Sequence, residues 1–351
     1  MIAGHTDAPD QHDDIEGLPT PAMLARIVGH EAAREALDAA ARGQRLHHAW
    51  LLQGPRGVGK ASVAFEFARK LLSTSTSVAW GDIQISQTIS RQIAQAGHPN
   101  LIHITRPAGE RGGFRTQITV EEIRRLNHFF HTTAAEGWRV AMIDPAEDMN
   151  RNAANALLKI LEEPPERSIF LIVNHMPGRL LPTIRSRCRV LRFDPLSPGE
   201  VETALTSAGI DASPEDIRRA AARADGSVRA AAMMLLAGAL EVGDEVARLI
   251  SGRPDWAGIQ KLADALVLKG REAAFEAMVG ELFHRLAAEA EDALTAGDMA
   301  RAGRLAALWQ DEQARWLEAG AFNLDRKQTL LTFFHKLQAA RERDVRAVHA
   351  D

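Results

Sequence analysis

The stretch Ala49-Trp50-Leu51-Leu52-Gln53-Gly54-Pro55-Arg56-Gly57-Val58-Gly59-Lys60 decides the fold of this chain. Its first five residues are a short apolar run closed by a glycine-rich turn, the pattern of a strand buried in a parallel sheet. The turn fits GxxxxGK, in which glycines let backbone N–H groups cradle phosphates while the lysine reaches the β- and γ-phosphates. Residues 63–72 read as a helix, whose N-terminus adds its positive end to the loop. With strand, loop and helix in that order, Gly54, Pro55, Gly57, Val58, Gly59 and Lys60 form a candidate nucleotide site. The bland alternative is a chance glycine turn, and the strand–loop–helix context argues against it.

The next position departs from the pattern. A Ser or Thr after the lysine would hold Mg²⁺ through its hydroxyl, but residue 61 is Ala61. Ser62 lies roughly 100° further round the helix and is a poor substitute. Such a loop still binds ATP or ADP through backbone and Lys60, with weak or absent Mg²⁺ coordination.

A second apolar strand ending in a carboxylate is the other half of such a site. Val140-Ala141-Met142-Ile143-Asp144 supplies it, with Asp144 as the candidate metal carboxylate and a turn-capping role as its structural alternative. Pro145 occupies the place of a water-orienting Glu. Glu147 and Asp148 follow too late and are expected to point elsewhere. Hydrolysis by this chain is expected to be very weak or absent.

Outward from these two strands, residues 101–105 and 169–174 read as further strands, and residues 23–42, 120–131 and 152–163 as helices. Pro164-Pro165 stops the last of these. Strands alternating with helices predict an α/β fold, a parallel sheet covered on both faces. Residues 73–77 read as a loop. From residue 200 the period is helical, with no convincing strand and no internal repeat. Phe275, Met278, Val279, Leu282, Phe283 and Leu286 keep the i, i+3, i+4, i+7 rule and form one apolar helix face. The predicted organisation is a disordered tail (1–18), an α/β P-loop domain (19–195), a small helical lid (196–252) and a C-terminal all-α domain (253–351).

Composition is that of a globular protein: 46% hydrophobic and 25% charged over 351 residues. No run of 18 apolar residues predicts a transmembrane helix, and the polar, acidic N-terminus is unlike a signal peptide, so a cytoplasmic protein with no membrane partner is expected. The single cysteine, Cys188, excludes an internal disulfide and a Cys-rich zinc site. A net charge of −4 argues against DNA binding as a stand-alone activity. His47 and His48 read as packing residues, and His98, His103, His128 and His131 lack metal-ligand spacing. Trp309 and Trp316, seven apart, read as helix packing.

Beyond these motifs, the sequence resembles the clamp-loader branch of the AAA+ family, its delta-prime members in particular, well over residues 19–193 and loosely beyond. Ile27-Val28-Gly29-His30 looks like the segment lining the family's adenine pocket, which adds Val28 and Gly29 to the candidate site. Leu46-His47-His48-Ala49-Trp50-Leu51-Leu52 looks like the entry to its phosphate loop. Asn155-Ala156-Leu157-Leu158-Lys159-Ile160-Leu161-Glu162-Glu163-Pro164-Pro165 is close to a clamp-loader signature, and Asn174 sits where the family has its first sensor of the γ-phosphate. Ile184-Arg185-Ser186-Arg187-Cys188 resembles the SRC motif, whose arginine, here Arg187, enters a neighbouring subunit's ATP site. Gly226-Ser227-Val228-Arg229 resembles the second sensor, with Arg229 the candidate, and Asn323-Leu324-Asp325-Arg326-Lys327 resembles a collar segment.

The resemblance implies an AAA+ domain with lid and helical collar, and a subunit that gives an arginine finger in trans rather than hydrolysing ATP itself. It implies tau/gamma and delta subunits, a sliding clamp and primed DNA as partners through the assembly. The four-cysteine zinc module of many family members has no counterpart in residues 73–100, so no zinc is expected. Two rival readings are an active tau/gamma-type ATPase, which needs Ser or Thr at 61 and Glu at 145, and another AAA+ replication or repair ATPase such as a helicase loader.

Overall fold

The computed structural model describes residues 11–43, 46–73, 83–109, 113–131, 137–236, 245–246, 248–250, 255–268, 272–321 and 324–342. Two compact units divide the chain, Met1–Ala231 and Ala232–Asp351.

The first unit is built on five parallel strands: β1 (Ala49–Gln53), β2 (Leu101–Ile104), β3 (Arg139–Ile143), β4 (Ser168–Asn174) and β5 (Arg189–Arg192), in the order β2-β3-β4-β1-β5. Successive strand residues point to opposite faces, so β1 serves two cores. Trp50 and Leu52 join Met142 and Leu171 on one face, packed with α1 (Glu31–Arg42) and α2 (Lys60–Leu72). Leu51 joins Ala141, Ile143, Phe170 and Ile172 on the other, with α4 (Val120–His131) and α5 (Arg151–Glu162). Burial on both faces explains the uninterrupted apolar runs. A further helix, α3 (Gln87–Ala94), is capped by Ser86.

Register fixes the site. Gln53 pairs with Asn174, and Ile143 with Ile172. The C-terminal ends of β1, β3 and β4 therefore bring the glycine loop, Asp144 and Asn174 to one edge, where open parallel sheets bind ligands.

Four expectations need correction. Residues 23–30 are not helical: the Arg69 guanidinium of α2 donates to Ala22 O (2.9 Å) and Leu24 O (2.8 Å), and His30 is left-handed at φ 59°. The helix expected over 63–72 begins earlier, at Lys60. Residues 11–18, expected within a disordered tail, lie in turns, because Asp13 pairs with Arg56 and Arg229 and Asp14 Oδ2 accepts from the Gln11 N–H (2.8 Å). Strand β5, unforeseen, is an edge strand whose arginines are exposed, which hides it from an apolar-run reading.

Past Leu196 come α7 (Pro198–Ser207), started by a Ser197–Glu200 capping box, α8 (Pro214–Arg223) and α9 (Val228–Leu236). The unit division falls inside α9, and of the segment expected as lid, residues 237–244, 247 and 251–252 lie outside the described residues. So do residues 74–77 of the expected loop.

The second unit is helical throughout its described residues: α10 (Trp256–Leu266), α11 (Glu272–Thr295), α12 (Met299–Ala321) and α13 (Arg326–Glu342). Phe275, Met278, Leu282 and Leu286 of the expected stripe are buried in its core, with Val279 partly buried. Trp309 and Trp316 both stand edge-on to Phe283, at 6.2 and 6.4 Å, as packing residues. The fully buried Glu312 is held by Arg315 and by Lys336 (2.8 Å). Of the expected collar segment, Asn323 lies outside the described residues and Arg326 covers the Phe275 ring at 5.2 Å.

Candidate nucleotide site

Between β1 and α2 the chain must turn through conformations that side chains resist. Gly57 and Gly59 have φ of 81° and 111°, the left-handed region glycine tolerates. Gly57 is also hemmed in: a Cβ there would lie 2.6 Å from Arg229 Cβ, and its carbonyl accepts from the Arg229 N–H at 3.3 Å. Gly59 is the N-cap of α2 and brings no side chain to satisfy the first-turn N–H groups, which leaves them for an anion. Lys60 opens the helix, nearly buried at 2% exposure, with its Nζ donating to Gly54 O (2.7 Å) and to Pro55 O. Burial pushes its pKa down to about 8 against the pull of Asp144, Glu147 and Asp13.

Asp144, at the end of β3, answers in the opposite sense. Burial, then the charge of Asp13, raises its carboxyl to about 7, with Lys60 pulling it back. His175 Nε2 stands 3.9 Å from Asp144 Oδ1. Burial, followed by Lys60 and Arg56, holds His175 down at about 3, so its imidazole is neutral. His103, on β2, is held at about 4 by burial and by His12.

Glu147 overturns the expectation made for it. It turns back to β4, accepting from Asn174 Nδ2 (2.8 Å) and from the His175 N–H (2.9 Å to Oε1). Asn174 is fully buried and doubly held, its Oδ1 accepting from Gln53 Nε2 at 3.1 Å. Glu147 is therefore near the site, and its carboxylate is committed to these donors. Asp148 leaves the site, pairing with Arg106 at 2.5 Å.

One cavity is lined by Val28, Gly57, Val58, Gly59, Lys60, Ala61, Ser62, Asp144 and Arg229 of the expected residues. Gly54 and Pro55 hold Lys60 through their carbonyls, Asn174 pairs with Gln53, and Gly29 packs where a Cβ would meet Leu196 Cδ2 at 2.5 Å. The sequence reading missed Asp13, His103 and His175, which share the lining, and Arg56, which pairs with Asp13. His175 and Arg56 had a signal, the one beside Asn174 and the other within the loop itself. His30 was quoted without a role. Its Nε2 lies 2.6 Å from Val58 O and its ring 4.8 Å from Phe193, tying the Ile27–His30 segment to the phosphate loop.

This donor set fits a polyphosphate: a helix N-terminus, Lys60, and the arginines 56 and 229. It fits Mg²⁺ poorly. Position 61 offers a methyl group, Pro145 no oxygen ligand on its side chain, and Asp144 holds its proton to near neutrality.

Arg187 lies elsewhere. It follows the short helix α6 (Pro182–Arg185), half-exposed, with Nη2 on Glu162 Oε1 (2.6 Å) and Nη1 on Thr183 O (2.9 Å). Beside it, burial pushes the Cys188 thiol up to about 12, which makes it a packing residue.

Sheet, loop and cavity define an α/β domain of the P-loop type. Residues 29–197 match the family described as DNA polymerase III, delta subunit. Subunit delta' of DNA polymerase III from Pseudomonas aeruginosa is 40% identical over 159 residues, 44% of this chain and 46% of that protein. The Bacillus subtilis delta' is 35% identical over 164 residues, 46% of each. The gamma subunit from Buchnera aphidicola (subsp. Acyrthosiphon pisum) is 30% identical over 229 residues, 64% of this chain and 60% of that protein. The chain spans about half the length of the delta' relatives it matches. Over this segment the chain is similar to the delta' and gamma/tau subunits of DNA polymerase III. Among the described residues, no helix is long and apolar enough to cross a membrane.

Proposed function

We propose that this chain works as a delta'-type subunit of a bacterial clamp loader, retaining a phosphate site without hydrolysing ATP there. The observation that carries it is the split at one site: Lys60 and the glycine loop are intact, while Ala61 and Pro145, the latter next to Asp144, remove the metal hydroxyl and the water-orienting carboxylate. The 40% identity to a delta' subunit supports the same reading. Nucleotide would rest on the N-terminus of α2 and on Lys60, near Arg229 and Arg56, which pair with Asp13 in this structure. It would supply negative charge that binds the loop to α9.

Arg187 is the residue through which such a subunit acts on others. Its half-exposed guanidinium rests on one carboxylate, the Thr183 carbonyl and, at 3.5 Å, the Ser186 hydroxyl, so an exchange to a neighbour's phosphates costs little. The partners this reading implies are tau/gamma- and delta-type subunits, and through them a sliding clamp and primed DNA, with a cytoplasmic location.

The test is reconstitution. The chain alone should show no ATP turnover, and Arg187→Ala in the loader should lower turnover at the adjoining site by about 10³-fold or more. Unchanged DNA-stimulated ATPase and clamp loading would remove the finger from the proposal. A gamma/tau-type motor is favoured by the longer stretch matched to gamma. It is opposed by positions 61 and 145, and vigorous ATP hydrolysis by the isolated chain would establish it.

A further inference from the structure

The turn formed by residues 11–14 carries chemistry that the reading above does not use. Asp13 Oδ1 pairs with Arg56 of the phosphate loop and lies 3.2 Å from Nη2 of Arg229, whose Nη1 also donates to the Asp13 carbonyl. Burial would raise the Asp13 carboxyl, but the two guanidiniums hold it below the usual carboxylate range, so it is an anion. Its neighbours anchor the turn: Gln11 Nε2 lies 3.3 Å from His103 Nδ1, and the His12 ring stands edge-on to Phe114 at 6.3 Å. Gln11, His12, Asp13, His103 and Arg229 line the same cavity as Lys60 and Asp144.

A carboxylate bridging two cations at a phosphate loop has the charge and the acceptor oxygens of a phosphate. We propose that Asp13 is an internal anion that competes with nucleotide phosphates for Arg56 and Arg229, so that the turn at 11–14 must withdraw before nucleotide can load. This rests on the reading of the Lys60 loop as a phosphate site. The competition lowers apparent affinity by the fraction of molecules in which the turn is away.

The experiment uses the full chain and two probes, a fluorescent ATP analogue and inorganic triphosphate, with affinity read by anisotropy and by competition. Asp13→Asn keeps the size and removes the charge, and should tighten both probes by about tenfold. Asp13→Ser repeats the test with a smaller side chain, and circular dichroism verifies that each variant is folded. Glu16→Gln, a change of equal charge at an exposed position beyond the turn, should stay within about twofold of wild type.

Equal or weaker binding by Asp13→Asn, or equal tightening by Glu16→Gln, overturns the proposal while leaving the phosphate site standing. If no variant binds either probe better than Lys60→Ala does, the phosphate-site reading itself fails and this proposal falls with it.

Discussion

The two walls of the cavity, the glycine loop and the end of β3, have diverged chemically although the sheet register sets them side by side. The loop wall carries Lys60 and Arg56, with Arg229 of α9 beside them, both arginines being held by Asp13. The β3 wall presents an Asp144 whose carboxyl is raised to about 7, a proline, and a Glu147 already bound to Asn174 and His175. A site that binds phosphate needs only the first wall, whereas hydrolysis needs both. Binding and catalysis are therefore separable in this fold, and Ala61 on one wall and Pro145 on the other remove groups that only hydrolysis needs.

The sharpest way to break the comparison is Lys60→Ala. Loss of a charge-assisted donor at the loop should weaken triphosphate binding by about a hundredfold, measured by calorimetry. If affinity is unchanged, the loop wall is not the binding wall.

The β3 wall is probed by pH. With its pKa raised from 3.8 to about 7, Asp144 binds a proton in the folded chain that the unfolded chain has already lost between about pH 4 and 7. Its contribution to stability is thus full at low pH and declines as pH climbs through that window. Asp144→Asn should therefore gain stability relative to wild type by about 2 kcal/mol on going from pH 5 to pH 8, read from urea unfolding. A difference that does not change with pH would mean the carboxylate is solvated.

Gly57→Ala tests how tightly the loop wall is built. A left-handed φ and the approach to Arg229 Cβ should cost about 1–3 kcal/mol in unfolding free energy and weaken nucleotide binding with it.

The smallest effect concerns the metal. Wild-type affinity for ATP should be nearly the same with Mg²⁺ or with chelator, and Ala61→Ser should introduce a modest Mg²⁺ dependence, by about threefold, through the restored hydroxyl. A strong Mg²⁺ dependence in the wild-type protein would mean that other ligands complete the site.

The sequence made the strand–loop–helix, the four apolar strands and most helices of the first unit legible, because glycine conformation, buried strands and helix periodicity are local signals. Edge strand β5 was hidden because only one of its four residues is buried, and α3 because Ile93 is its one buried residue. The helix expected over 23–30 failed for a long-range reason, the capture of two backbone carbonyls by Arg69 of α2.

The sequence by itself determined that this protein has a parallel-sheet phosphate loop with Ala61 and Pro145 where two catalytic groups would stand, since residue identity and spacing along one strand and one turn are all that such statements require. Only the tertiary structure decided that Asp13 reaches across to Arg56 and Arg229, that Glu147 turns back to Asn174, and that Asp144 and Lys60 shift toward their neutral forms. Those outcomes depend on burial and on charges brought together from distant parts of the chain, and neither can be read from neighbours in sequence.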